Sequence, residues 1–270
     1  MGSISIMKIS LFFNSGRITT RIVIIEKMKD GGRKIMTIHI HPISALSDNY
    51  IWLLEQEGRV IIVDPGESEG VLAYIKLKNL IPEAIILTHK HDDHIGGVLD
   101  IVNRYPETPV YGPIETGHLA TTVLKEGDSI QLFNQPFDVI KTAGHTEEHI
   151  SYLTTDALFC GDALFSAGCG RVFTGDYQAQ YDALQKLNKL ADSVVIYPAH
   201  EYTETNLRFA KTQEGGNSAI DQALEETIQL RQEHKPTLPT TMAKERTINL
   251  FLQAENLESF IRLRQARDQF

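Results

Sequence analysis

Three imidazoles and two carboxylates crowd into six residues, His89-Lys90-His91-Asp92-Asp93-His94, directly after the apolar run 84–87. Neutral imidazole and carboxylate are ligands that Zn²⁺, Fe²⁺ and Mn²⁺ accept. His89 and His91 alternate, so an extended backbone points both rings the same way, while Asp93 and His94 turn toward a neighbouring position. Such a cluster can feed two metals. The plainer alternatives are a solvated histidine-rich loop and a helix N-cap made by Asp92 or Asp93. Three more polar residues stand in similar strand-end contexts: His145 in Thr142-Ala143-Gly144-His145-Thr146, Asp162 in Phe159-Cys160-Gly161-Asp162, and His200 in Tyr197-Pro198-Ala199-His200. Each alone reads as a hydrogen-bonded turn residue. With the first cluster they make seven candidate ligands, His89, His91, Asp93, His94, His145, Asp162 and His200, on separate loops, where α/β proteins carry function.

The elements that must position them read out from Met36. Apolar and polar residues alternate over 37–43, and short apolar runs follow at 50–54 and 60–63, the last ending at Asp64-Pro65-Gly66. Val71, Leu72, Ile75 and Leu80 have helical spacing, residues 84–87 return to strand, and Ile95, Val98, Leu99 and Val102 predict one helix stopped at Pro106. Short strands follow at 130–133, 137–140 and 150–153, then a helix over 181–190 and a strand over 194–197. Interleaving of this kind predicts sheets covered by helices. After His200 the pattern is helix only, over 204–212, 219–234 and 257–267, broken by Gly215-Gly216 and by residues 236–239. The expected division is therefore 1–35, an extension outside the fold; 36–200, an α/β domain; and 201–270, a helical domain. The extension is isoleucine-rich without a clear period. Lys8 spoils it as a secretory signal and Glu26 and Asp30 as a mitochondrial presequence, and a start of translation at Met36 is a further reading.

The 270 residues are 42% hydrophobic and 23% charged, enough for one or two domains with cores of their own. Two cysteines, Cys160 and Cys169, make no disulfide framework and point to a reducing compartment, with the cytoplasm expected. No apolar run reaches the roughly 18 residues of a membrane span. The net charge of -9 is uneven: residues 1–35 hold seven Lys/Arg against two Asp/Glu, leaving 19 against 33, or -14, in the rest. A body so acidic repels polyanions, which excludes nucleic acid as the expected partner. Arg262, Arg264 and Arg267 near the C-terminus suit a small anionic ligand instead, and Arg264 and Arg267, three apart, share a helix face.

The motif His89-Lys90-His91-Asp92-Asp93-His94, with Gly144-His145-Thr146, residues 161–165 and His200-Glu201-Tyr202-Thr203, resembles the metallo-β-lactamase superfamily. Within it the chain is similar to the hydroxyacylglutathione hydrolase (glyoxalase II) family, through residues 49–52, Ala167-Gly168-Cys169-Gly170-Arg171 and the C-terminal stretch 263–270. The likeness runs from Met36 to Phe270. It implies an αββα sandwich, two sheets between helices, followed by a small all-α C-terminal domain that completes the substrate site. It implies two divalent ions, zinc before iron or manganese: His89, His91 and His145 holding the first, Asp93, His94 and His200 the second, and Asp162 bridging them with a hydroxide. Asp93 and Asp162 are thus the catalytic carboxylates. Two dications about 3.5 Å apart would supply hydroxide at neutral pH and clamp the oxyanion formed at a carbonyl.

The implied reaction is hydrolysis of S-(2-hydroxyacyl)glutathione, typically S-D-lactoylglutathione, to glutathione and a 2-hydroxy acid, the second step of methylglyoxal detoxification. A thiolate, with a pKa of about 8.5, leaves without a strong general acid. Glutathione contacts map onto Arg171, Tyr202, Arg264 and Arg267; the family often has Lys where Arg171 and Arg267 stand and Tyr where Phe173 stands. A monomer is expected. The rival enzyme is a glutathione persulfide dioxygenase with a single iron; a non-enzymatic binding module would be expected to have lost ligands. Asp64 is expected behind a ligand and Asp92 beside one, while His149 reads as structural or as support for a ligand loop. His39, His41, His118 and His234 lie outside any motif. Cys160 reads as core, and Cys169 sits in a Gly-rich turn with no base beside it.

Overall fold

Along residues 51–54 the side chains of Ile51 and Leu53 face one way and those of Trp52 and Leu54 the other, and all four are buried. A strand so placed must lie in a sheet with both faces covered. The structure, a computed structural model, describes residues 4–14, 17–27 and 33–270, with side chains from Thr37 onward.

Among the described residues the first sheet runs in sequence order: β1 (Ile4–Asn14), β2 (Arg17–Lys27), β3 (Arg33–Ala45), β4 (Asn49–Gln56), β5 (Arg59–Val63), β6 (Ile81–Ile86), β7 (Val110–Gly112) and β8 (Thr122–Val123). It is antiparallel as far as β5 and parallel from β5 to β8. The second sheet collects β9 (Ser129–Leu132), β10 (Gln135–Lys141), β11 (Ile150–Leu153) and β12 (Ala157–Gly161). After a small ribbon of β13 (Leu164–Phe165) and β14 (Gly168–Cys169), it resumes with β15 (Val195–Pro198) and β16 (Thr240–Thr241).

Trp52, Leu54, Ile61 and Ile86 of the first sheet meet Phe137, Tyr152, Phe159 and Tyr197 of the second in one core between the sheets. Helices α1 (Glu69–Lys78), α2 (Asp92–Ile95) and α3 (Val98–Arg104) follow the parallel strands, and α1 and α3 close the outer face of the first sheet with Val71, Ile75, Val98 and Ile101. The outer face of the second sheet, Leu158, Cys160 and Ile196, is covered by α4 (Tyr177–Leu187) and by the C-terminal helices. The C-terminal helices are α5 (Thr203–Gln213), α6 (Ser218–Gln232), α7 (Met242–Ile248), α8 (Leu250–Gln253) and α9 (Leu257–Gln269), of which α6 packs on α5 and α7 rather than on the sheet. The architecture is the expected αββα sandwich with a helical C-terminal region.

Three expectations change. Residues 4–14 and 17–27, read as part of an extension without a clear period, are β1 and β2, and β2 pairs with β3 from Thr20↔Ile40 to Lys27↔Arg33. Their β-branched density favours a strand even without a clean alternation. The single helix over 95–102 is two short helices parted at Gly96-Gly97, with Leu99 exposed rather than on the core face. Gly97 is tied there by its N–H to Pro65 O at 2.8 Å, and a Cβ on it would fall 2.4 Å from Glu67 C. Last, the region after His200 is not purely helical, because β16 pairs with β15 and stitches it into the second sheet.

Candidate metal centre

Every predicted ligand leaves a strand end or the turn after it. β6 runs through Leu87 and Thr88 into the loop that carries His89 and His91, and Asp93 and His94 lie in α2, with His91 as its N-cap residue. His145 stands between β10 and β11, Asp162 one residue past β12 and His200 two past β15. Since β12 and β15 are parallel neighbours, Asp162 and His200 emerge side by side. The backbone of Gly66 passes so close to α2 that a Cβ there would lie 1.9 Å from Asp93 O, which only glycine permits.

The seven side chains converge in two groups. His91 Nδ1 lies 3.0 Å from both His89 Nε2 and His145 Nε2, and the donor atoms of these three fall within 4.8 Å of one another. Asp93, His94 and His200 form a second such group, with Asp93 Oδ2 at 3.5 Å from His94 Nε2 and 3.4 Å from His200 Nε2. Asp162 stands between them: Oδ2 is 3.3 Å from His145 Nε2, and Oδ1 is 3.3 Å from His94 Nε2 and from His200 Nε2. Asp64, His89 and His94 are also close together, but the Asp64 oxygens already accept from Thr88 N (2.8 Å), Thr88 Oγ1 (2.7 Å) and His94 Nδ1 (3.1 Å). Asp64 therefore fixes the ring of His94, a candidate ligand.

The far nitrogens of the histidines explain why the near ones point inward. Asp64 accepts from His94 Nδ1, Asp48 Oδ1 from His200 Nδ1 at 2.7 Å, Arg171 O from His145 Nδ1 at 2.8 Å, and Thr88 Oγ1, itself donating to Asp64, from His89 Nδ1 at 3.0 Å. Once a ring is neutral, each bond leaves Nε2 as the lone pair that faces the centre. His94 Nε2 and Asp162 Oδ1 are buried without an aligned hydrogen bond. Orphaned buried donors and acceptors converging on one point are what a cation would satisfy, so the residues fit a pair of metal ions.

The electrostatics differ between the groups. Burial, with His94 beside it, pushes His89 well below the usual imidazole range, and burial lowers His145 despite Asp162, so both present neutral rings. Burial also opposes a charge on His94 and His200, but the Asp162 carboxylate, joined by Asp64 at His94 and by Asp93 and Asp48 at His200, outweighs it and raises them to about 10 and about 11. Asp93, bonded by His200, is held well below the usual carboxylate range, as is Asp162, where His94 and His200 overcome a strong burial effect.

Five of these donors, His91, Asp93, His145, Asp162 and His200, floor a cleft of about 570 Å³ that Phe165, Arg171, Phe173, Tyr202, Arg264 and Arg267 also line. Tyr202 stacks on His200 with centroids 4.7 Å apart, and the exposed Phe173 ring stands edge-on to His91 and His145 at 5.5 and 5.3 Å. Arg171 is mostly exposed and reaches Asp268, whereas Arg264 is buried, donating to Cys169 O and Asp268 Oδ1. Asp92 is exposed at the first turn of α2. His149 is fully buried; its Nε2 accepts from Asp162 N at 3.2 Å and its ring stacks on His89 at 4.8 Å, so it supports the site from beneath. Asp48 was not singled out in the sequence, and Asn49, which donates to Asp93 Oδ2 at 3.1 Å, stood there only within the family-like stretch 49–52 with no role of its own, because a Ser-Asp-Asn turn does not disclose what lies behind it.

A sheet sandwich with histidines and aspartates gathered at its strand ends defines the metallo-beta-lactamase superfamily, whose model matches residues 46–200. Residues 201–270 match the model described as hydroxyacylglutathione hydrolase C-terminus. The hydroxyacylglutathione hydrolase of Actinobacillus pleuropneumoniae serotype 5b (strain L20) is 49% identical over 234 residues, 86% of this chain and all of that one. That of Haemophilus ducreyi is 47% identical over the same shares, and that of Pectobacterium carotovorum subsp. carotovorum 49% identical over 80% of this chain and 87% of its own. The chain belongs to the hydroxyacylglutathione hydrolase family. Among solved structures, ETHE1 from Myxococcus xanthus aligns with a TM-score of 0.63 at 23% identity, covering 96% of this chain and 90% of that one. The B3 metallo-beta-lactamase BLEG-1 aligns at 0.59 and 23%, covering 80% and 99%. These two share the fold.

Proposed function

We propose that the protein hydrolyses S-(2-hydroxyacyl)glutathione thioesters, S-D-lactoylglutathione among them, to glutathione and a 2-hydroxy acid. The observation that carries this reading is one cleft whose floor takes His91 and His145 from one donor group, Asp93 and His200 from the other and Asp162 between them, with Arg171, Arg264, Arg267 and Tyr202 also lining it. Glutathione bears carboxylates at both ends, which guanidinium groups bind in pairs of hydrogen bonds. His89, His91 and His145 would hold one ion, Asp93, His94 and His200 the other, and Asp162, with an oxygen toward each group, would bridge them. Two zinc ions suit this nitrogen and oxygen set, and iron or manganese would also fit; when bound, such a pair supplies an activated water and positive charge for a developing oxyanion.

The rest falls to the chain. The guanidinium groups anchor the peptide part of the substrate so that its carbonyl reaches the floor, converting an encounter into an intramolecular event. Asp93 and Asp162, ionised and fixed by their histidines and by Asn49, accept hydrogen bonds from the nucleophile and orient it. Phe173 keeps an apolar edge against His91 and His145 at the mouth. The thiolate leaves without a proton. All these groups come from one chain, so a monomer suffices, and two free, buried cysteines suit the reducing cytoplasm. The complete second group, Asp93, His94 and His200, weighs against a single-iron dioxygenase. The test is thiol release from S-D-lactoylglutathione by zinc-loaded protein, with metal content measured on the same sample. Turnover with close to two ions per chain supports the reading, and two bound ions without thiol release overturns it.

A further inference from the structure

Glu245, near the start of α7, has none of its surface exposed, yet it belongs to neither donor group and does not line the cleft. A carboxylate is costly to bury, and an apolar residue would pack a helix onto a sheet without that cost. Four donors meet it: Ser166 Oγ (2.9 Å) and Thr240 Oγ1 (2.7 Å) on Oε1, Ala167 N (2.7 Å) and Asn249 Nδ2 (3.2 Å) on Oε2. Two of these belong to the turn joining β13 and β14, where Ala167 sits at φ 55, a left-handed conformation that a residue with a Cβ adopts only when its surroundings enforce it.

The C-terminal region holds the rest of that turn as well. Asn249 Nδ2 donates to Phe165 O (3.1 Å) and Gly168 O (3.0 Å), and Asn206 Nδ2 to Ser166 O (3.0 Å). The turn in turn orients the cleft wall. Cys169 O accepts from Arg264 Nη1 at 2.8 Å, Asn206 Oδ1 accepts from Arg267 Nε at 3.2 Å, and Phe165 places its ring edge against His200 and Tyr202 at 5.7 and 5.2 Å.

We infer that Glu245 is a positioning residue for substrate binding: from the helical region it fixes the 165–169 turn, and through that turn it sets where Arg264 and Arg267 present their guanidinium groups to the substrate. The inference rests on the glutathione reading for its ligand, and the test separates the two. Zinc-loaded wild type, Glu245→Ala, Glu245→Gln and Asn249→Ser are compared in glutathione Kd, KM and kcat for S-D-lactoylglutathione, metal content, and hydrogen exchange at the Ala167 amide. Glu245→Ala should raise Kd and KM about tenfold, leave kcat within about threefold, keep both ions, and lose protection at Ala167. Glu245→Gln should come close to wild type, because its amide oxygen can take Ala167 N and Asn249 while the Ser166 and Thr240 hydroxyls turn to accept from its NH₂. Asn249→Ser retains an oxygen to cap Phe251 N and should shift Kd in the same direction, so the inference stays testable if Glu245→Ala does not fold. Unchanged Kd in the folded variants, loss of metal and kcat with KM unmoved, or a Gln variant as damaged as the Ala variant would each overturn it. If wild type itself has no affinity for glutathione, the substrate reading falls, and Ala167 exchange with metal content still decides whether Glu245 fixes the turn.

Discussion

Asp162 gives one oxygen to each donor group, so removing it strikes both at once. Asp162→Ala should bring metal content from about two ions toward about one and lower kcat by at least about 100-fold; metal analysis and turnover on one preparation check it. Protonation makes a second prediction. In the metal-free protein His94 and His200, raised to about 10 and about 11, carry protons at neutral pH, and a ligand must give its proton up. The stability these protonated rings lend the metal-free fold is fully present below the ordinary histidine range and is lost as pH rises through their raised pKa values. Metal binding at the second group should therefore release protons and tighten from pH 6 to pH 8. Calorimetry in two buffers of different ionisation enthalpy measures this, and a proton count of zero would contradict it. At this scale the candidate ligands were legible because His and Asp at strand ends, spaced as a set, have little other use. Asp48 and Asn49 were not, because an acid and an amide in a turn do the same things whether or not a ligand lies behind them.

Helix α9 brings Arg264 and Arg267 to the cleft on one face, as their spacing predicts, but with different commitments. Arg264 is buried against Cys169 and Asp268, whereas Arg267 is half-buried and bonded to Asn206. Arg267→Ala is thus the cleaner probe of substrate binding: a partly exposed pair worth about 1 kcal/mol predicts a KM increase of about fivefold with kcat nearly unchanged. Michaelis curves at low and high ionic strength check it, since the effect should shrink with salt. Helices α1, α4, α5, α6 and α9 could be read from apolar spacing because each keeps one face on the core. β16, α7 and α8 could not: Pro236 and Pro239 make the preceding stretch look like a linker, and a two-residue strand has no period to detect. The missed elements carry Glu245 and Asn249, so the grip on the 165–169 turn was invisible for the same reason.

Across the whole molecule, the donors, the cleft wall and the supports Asp48 and Asn49 all lie beyond residue 41, while β1 and β2 meet the remainder through β3. β3 keeps its own pairing with β4 from His39↔Glu55 to Ala45↔Asn49 without them. A chain beginning at Met36 should therefore keep kcat/KM within about twofold of the full chain. The newly bared edge of β3 makes light scattering the companion measurement, since a free edge invites pairing between copies; a tenfold loss of kcat/KM would show that the hairpin supports the site. The two-sheet layering was legible only through family resemblance, because strands buried on both faces, such as residues 51–54, read as continuous apolar runs that do not say which side meets which sheet. The order of the donors along the chain has one more consequence. Synthesis runs from N- to C-terminus, so the ribosome delivers His89, His91, Asp93 and His94 first, then His145, Asp162 next and His200 last, with Asp48 waiting for it from the start. The three donors of one group are all made before the last donor of the other, and the helices that grip the 165–169 turn are still unmade when both groups are complete.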